Sequence, residues 1–292
     1  MKTPLYILLP IALLCPAWTG AESSYIDFGE RVNTFAEKLG DILKSESDES
    51  DGSKPGKTII SALQVSKQLK PRRSHRVKHL KPESAVLSGE ELYRKRLPSV
   101  VMIGKIYKCG RCDRWHANIA TGFVIHRDGI VVTNYHVIET DDAEDAIGVQ
   151  THDGKIHRVE KVLASSEQND LAILKIDATD LQPAPIATGV DVGASVSVIS
   201  HPVKHLFTYT EGTVSGKSKR RYRKTVRPQL TITADFAKGS SGAPIFDQTG
   251  AVVGIVRATE TVYYDENRGQ DTNPQMVWKF AIPSECLLEL IE

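Results

Sequence analysis

The chain is short of several things. Its 292 residues hold four cysteines, three methionines and three tryptophans. It has almost no net charge, because 37 Lys and Arg stand against 36 Asp and Glu. That balance gives no reason to expect a polyanionic partner, nucleic acid included. Beyond the N-terminus no apolar stretch approaches the length of a membrane span. No internal repeat is visible, and nothing in the sequence calls for a cofactor.

What is present begins with an apolar run from Leu5 to Leu14, behind the single positive charge of Lys2. Small residues follow, and Thr19-Gly20-Ala21 suits signal-peptide cleavage. Residues 1–21 are therefore expected to be a signal peptide, and the mature chain to be exported, periplasmic or secreted, with no membrane span. Three cysteines then remain. Cys109 and Cys112 are the natural pair in an oxidising compartment, and Cys286 is expected to be a buried small hydrophobe.

Charge is uneven along the chain. Residues 22–53 carry nine acidic side chains against three basic ones, and residues 54–82 carry nine basic and none acidic. Tyr25, Phe28, Val32, Phe35, Leu39 and Ile42 recur at spacings of three and four, which is one face of a helix. That face is expected to dock on the body of the protein or on a second copy, which would make a homo-oligomer through the N-terminal helix. Residues 45–57 read as linker, 58–69 as a short helix, and 70–81 as a solvated basic arm. Residues 22–87 thus form an N-terminal extension.

From residue 88 the texture changes to short β-rich segments between turn signals. Ser88-Gly89-Glu90-Glu91 opens a helix. Strands are expected at 98–107, 117–126, 130–134, 146–150, 156–163 and 171–176. After a Pro-containing crossover at 177–188 come strands at 195–200, 207–215, 229–233, 244–247, 251–258 and 277–282. Two runs of six predict an all-β fold of two six-stranded antiparallel barrels, about 95–177 and 189–282. A short helix at 283–291 closes the chain.

Lys238-Gly239-Ser240-Ser241-Gly242-Ala243-Pro244 holds a Ser between small residues, where a tight loop can aim backbone N–H groups at one point. Upstream, an apolar strand ends in Thr133-Asn134-Tyr135-His136-Val137. Farther on, Asn169-Asp170-Leu171-Ala172-Ile173-Leu174 opens a strand on an Asp. His136, Asp170 and Ser241 stand in one of the known orders of a Ser-His-Asp triad.

On these motifs, and on Phe280-Ala281-Ile282-Pro283, the chain resembles trypsin-like serine proteases of the Deg/HtrA branch over about residues 88–292. The resemblance implies a serine endopeptidase acting on polypeptides through an acyl-enzyme, with envelope protein quality control as a role. Ser241 would be nucleophile, His136 general base, Asp170 its partner, and the N–H groups of Gly239 and Ser241, with Ser240 a further candidate, the oxyanion hole. Ser240 stands where digestive relatives have an Asp, so no switch driven by a new N-terminus is expected. No PDZ domain, common in this branch, follows the protease segment, so no substrate capture of that kind is expected.

Asp235, six residues before Ser241, is a candidate base of a specificity pocket for Arg or Lys. Two charged loops are expected beside the site: Lys217 to Arg227, with seven basic side chains, and the acidic 260–275. Contact between them is an expectation. Cys109 and Cys112, with His116 nearby, fit a disulfide, a metal set lacking a fourth ligand, or a redox pair. No metal is assigned. Two alternatives to the main reading stand: a silent or partner-activated binding protein on a protease scaffold, and a secreted protease of narrow Arg/Lys or Glu specificity.

Overall fold

The structure, a computed structural model, describes residues 26–48, 61–141, 146–267 and 270–292. The signal segment, Tyr25 and most of the 45–57 linker lie outside them.

Helix α1 (Phe28–Asp48) carries the seam read from the sequence and continues through the first residues assigned to the linker. Val32, Phe35, Ala36 and Leu39 are all buried against the first sheet. They fit because the sheet offers no side chain beneath them. A Cβ on Gly104 would lie 2.1 Å from the Phe35 ring, and one on Gly148 2.8 Å from Leu39. Burying these apolar groups supplies the affinity that holds a lone helix. The buried part of the seam thus docks on the body of the protein, one of its two expected uses.

The rest of the extension is also anchored through its backbone, while the basic side chains of 70–81 are solvated. Helix α2 (Ala62–Ser66) is shorter than expected and starts at a capping box between Ser61 and Gln64. Strand β1 (Arg72–Arg73) then adds to the first sheet. Beyond it the N–H groups of His75 and Val77 donate to Leu290 and Ile291. The basic side chains point outward, but the backbone is fixed. Helix α3 (Gly89–Arg96) begins at a second capping box, Ser88 with Glu91.

The first sheet comprises β2 (Val100–Lys108), β3 (Trp115–His126), β4 (Ile130–Thr133), β5 (Ala146–Gln150), β6 (Ile156–Ser166) and β7 (Leu171–Ile176). Its order is β1-β6-β5-β2-β3-β4-β7, and pairing of β6 with β7 closes a ring of six. A short helix, α4 (Tyr135–Ile138), follows β4. The second unit is a closed antiparallel barrel of β8 (Ser195–Ser200), β9 (Thr208–Tyr222), β10 (Thr225–Ile232), β11 (Pro244–Phe246), β12 (Val252–Asn267) and β13 (Gln270–Pro283). Helix α5 (Ser284–Ile291) packs back between the units with Leu287 and Ile291 fully buried. Two rings of six strands and the closing helix match the expected all-β architecture.

The two charged loops are a correction. Both are β-ribbons: β9 and β10 pair from Tyr222–Thr225 down to Val214–Ile232, and β12 and β13 pair from Asn267–Gln270 downward. They are in contact as expected, with Arg220 Nη1 3.1 Å from Glu260 Oε2.

Candidate active site

β4 ends at Thr133, and buried Asn134 turns the chain into α4, which carries His136. Asp170 precedes β7 in a left-handed conformation, φ 57°, that a short polar side chain tolerates. The two turns are tied together. Asn134 Nδ2 donates to the Asp170 carbonyl at 3.0 Å, and the His136 backbone N–H donates to Asp170 Oδ1 at 3.1 Å. His136 Nδ1 lies 3.0 and 2.9 Å from the two carboxylate oxygens. An ionised carboxylate only accepts, so Nδ1 carries the proton and Nε2 keeps its lone pair.

Ser241 comes from the second barrel. Gly239 has φ +99°, and a Cβ there would meet the His201 carbonyl oxygen at 2.4 Å, so only glycine allows this approach. The loop's hydrogen bonds are selective. The N–H groups of Ser240, Gly242 and Ala243 donate to Ala237, Val256 and Ser240. Among the described residues no acceptor faces the N–H groups of Gly239 or Ser241. Ser240 is buried with its hydroxyl 2.9 Å from that of Ser200, so its side chain supports the loop from inside.

A groove of about 570 Å³ collects these groups. His136, Gly239 and Ser241 line it, with Ile103, Ile119 and Val137 as apolar wall and Lys105, Lys204 and Lys238 as charged wall. Asp235 is elsewhere. Its side chain is 83% exposed and paired with Lys279 Nζ at 2.8 Å. It therefore does not form the base of this groove, which corrects its reading as a pocket residue.

Three supporting residues were not found from the sequence. Thr121 on β3 joins the two barrels. Its N–H donates to the Ser241 carbonyl, its hydroxyl donates to the Gly239 carbonyl at 2.9 Å, and its carbonyl accepts from the Thr133 hydroxyl. Arg257 on β12 places Nε 3.5 Å from Asp170 Oδ2, on the carboxylate that holds His136. Burial, then the neighbouring Arg227 charge, lowers the Arg257 guanidinium to about 10, against the pull of Asp170. Arg227 on β10 is itself lowered, mainly by burial. The β9–β10 ribbon also grips the turn before Asp170. Arg223 pairs with Glu167 at 2.7 Å, Arg227 Nη1 donates to the Gln168 carbonyl, and Gln168 Nε2 donates to the Val226 carbonyl. The cluster of basic residues gave a signal, but nothing local pointed it at Asp170.

The cysteines depart from the expected disulfide. Cys109 Sγ and Cys112 Sγ are free and 3.5 Å apart, beyond the roughly 2 Å of an S–S bond. His116 Nε2 lies 3.2 Å from Cys112 Sγ. The Arg111 backbone N–H and the Cys112 thiol hold Cys109 below the usual thiol range. Cys286 is buried as expected, and burial pushes its thiol up to about 12.

Residues 120–255 match the family described as the trypsin-like peptidase domain. Among individual proteins, the chain is similar to a probable periplasmic serine endoprotease, DegP-like, from Hahella chejuensis. The match is 31% identical over 173 residues and covers 59% of this chain and 34% of that protein. A protein of the same description from Pseudomonas savastanoi is 34% identical over 150 residues, covering 50% of this chain and 30% of that one. The chain spans about a third of the length of these curated relatives. Among solved structures, the serine endoprotease from Yersinia pestis superposes with a TM-score of 0.51 at 25% identity, covering 70% of this chain and 66% of that one.

Proposed function

We propose that this chain is a serine endopeptidase of the DegP/HtrA kind, with Ser241 as nucleophile, His136 as general base and Asp170 as its partner. One observation carries the reading: Asp170 clamps His136 Nδ1 on the same groove that Ser241 and Gly239 line. His136 Nε2 takes the Ser241 proton as Oγ attacks a peptide carbonyl. The carbonyl oxygen gains negative charge and is met by the N–H groups of Gly239 and Ser241, each worth about 3 kcal/mol of barrier. His136 then gives the proton to the leaving amine, and water repeats the sequence on the acyl-enzyme.

The groove favours one substrate charge. Lysines supply three of its lining residues and no carboxylate lines it. Acidic side chains near the scissile bond fit it, and basic ones do not. The relatives described as periplasmic and the apolar N-terminal run support export, and envelope protein quality control is the matching role. No helix among the described residues is long and apolar enough to cross a membrane.

A fluorophosphonate probe tests the assignment, since it esterifies a serine only when a base and an oxyanion hole activate it. The wild-type chain should be labelled at Ser241 and hydrolyse an unfolded protein. Ser241→Ala and His136→Ala should lose both while keeping the same circular dichroism. Undiminished hydrolysis by folded Ser241→Ala would overturn the assignment.

A further inference from the structure

We propose that Cys109, Cys112 and His116 form a zinc site at the tip of the β2–β3 hairpin, with its fourth position open to solvent. Cys109 Sγ, Cys112 Sγ and His116 Nε2 all lie within 4.8 Å of one another. The three atoms come from one turn and the strand that follows it. Gly110, at φ +70°, lets the chain double back between the cysteines.

The distances suit a tetrahedral ion. With Zn–S near 2.3 Å and Zn–N near 2.0–2.1 Å, two sulfurs stand about 3.8 Å apart, and sulfur and nitrogen about 3.5 Å. The observed separations are 3.5 Å for the sulfurs and 3.2 Å for Cys112 with His116. An outward shift of about 0.3 Å per pair would admit the ion. The groups are also set up as ligands. The backbone N–H groups of Arg111 and Cys112 point at the Cys109 sulfur and orient it. Lys44, Lys108, Arg111 and Asp113 line the same surface depression as Cys112. On binding, both thiols lose their protons to solvent and the imidazole binds neutral through Nε2.

The site would act as a staple. The next residue but two, Trp115, donates its N–H to Glu37 Oε1 of α1 at 3.2 Å, and its ring lies under Gly40. Closing the turn on an ion fixes the hairpin end on which α1 rests. It also takes both thiols out of disulfide chemistry.

The test uses the full chain carrying Ser241→Ala, stripped of metal and kept reduced, and titrated with Zn²⁺ and with Co²⁺. One equivalent of Co²⁺ should give the visible bands of a four-coordinate ion and a sulfur-to-cobalt charge-transfer band, both erased by one equivalent of Zn²⁺. Cys109→Ser, Cys112→Ser and His116→Ala should each weaken Zn²⁺ binding by more than the 10–100-fold typical of losing an outer-shell partner. Cys286→Ser should bind as the parent does, and Zn²⁺ should raise the melting temperature of the parent but not of Cys112→Ser. Absence of the charge-transfer band, or equal Zn²⁺ affinity in the parent and Cys112→Ser, would overturn the proposal.

Discussion

Arg257 gives the sharpest test of how this site is tuned. Its Nε lies 3.5 Å from Asp170 Oδ2, and His136 Nδ1 lies 2.9 Å from the same oxygen. A carboxylate shared in this way serves two cations that repel each other. Arg257 stays charged throughout the working range, because burial lowers it only to about 10. The repulsion falls on the imidazolium that forms in the transition state. At roughly 6 Å and an effective dielectric of about 20 it amounts to about 3 kcal/mol. The His136 side chain is 46% exposed, so water screens a large part of this. A remainder of about 1.4 kcal/mol corresponds to about tenfold in rate.

The perturbation is Arg257→Met, which keeps the stem and removes the charge, set beside Arg257→Lys, which keeps the charge. Asp170 remains held by the His136 backbone N–H, so its orientation should survive in both. The assay is kcat/KM for a peptide substrate at low and at high salt. Without the Arg257 charge the transition-state imidazolium is easier to form, so kcat/KM should rise by up to about tenfold in Arg257→Met, and less so in high salt. It should stay unchanged in Arg257→Lys. An unchanged or lower kcat/KM in folded Arg257→Met would refute the electrostatic argument.

Thr121→Val removes the hydroxyl that donates to the Gly239 carbonyl and leaves a buried acceptor unpaired, at about 1–3 kcal/mol. The melting temperature should drop and kcat should fall about tenfold with KM held, whereas unchanged kcat would show that the loop needs no such tie. His201 is fully buried, and burial lowers it from 6.5 to about 3. The unfolded chain takes up that proton near pH 6.5 and the folded one only near pH 3, so stability should fall as pH drops between them, by about 1.4 kcal/mol per unit. Urea unfolding at pH 6, 5 and 4 should show this slope reduced in His201→Asn, and equal slopes would count against it. Lys204→Glu with Lys238→Glu should lower kcat/KM about tenfold for peptides with acidic residues beside the cleaved bond and raise it for basic ones, and the difference should shrink in high salt. An unaltered preference would mean that the lysines do not face the substrate.

Most barrel strands were legible because they are short, near-continuous apolar runs, buried on both faces, between turn signals. The ribbons were not. From Lys217 to Arg227 the β9–β10 ribbon carries basic residues on both faces and projects past the barrel, so only backbone pairing and the grip on Glu167 and Gln168 mark it as strand. The anchoring of the basic arm was hidden for a similar reason. His75 and Val77 are fixed by carbonyls of Leu290 and Ile291, more than two hundred residues away, and no local pattern announces such partners. The α1 seam was legible as a helix face, but Gly104 and Gly148 decide where it docks, and a glycine in a strand does not name what fills its space.

The candidate site divides in the same way. His136, Asp170 and Ser241 were legible because each sits at the end of a strand in a local context that suits its role. What holds them in register was not, because it belongs to other strands. Thr121 reads as one polar residue in an apolar strand, yet its three backbone and side-chain bonds couple the His-bearing sheet to the Ser-bearing loop. Arg257 reads as the edge of an apolar run, yet it lies in salt-bridge contact with Asp170. Sequence motifs thus identify the groups that would exchange protons. The groups that set how readily they do so are selected by the closure of two barrels against each other, and that closure is a property of the fold rather than of any stretch of the chain.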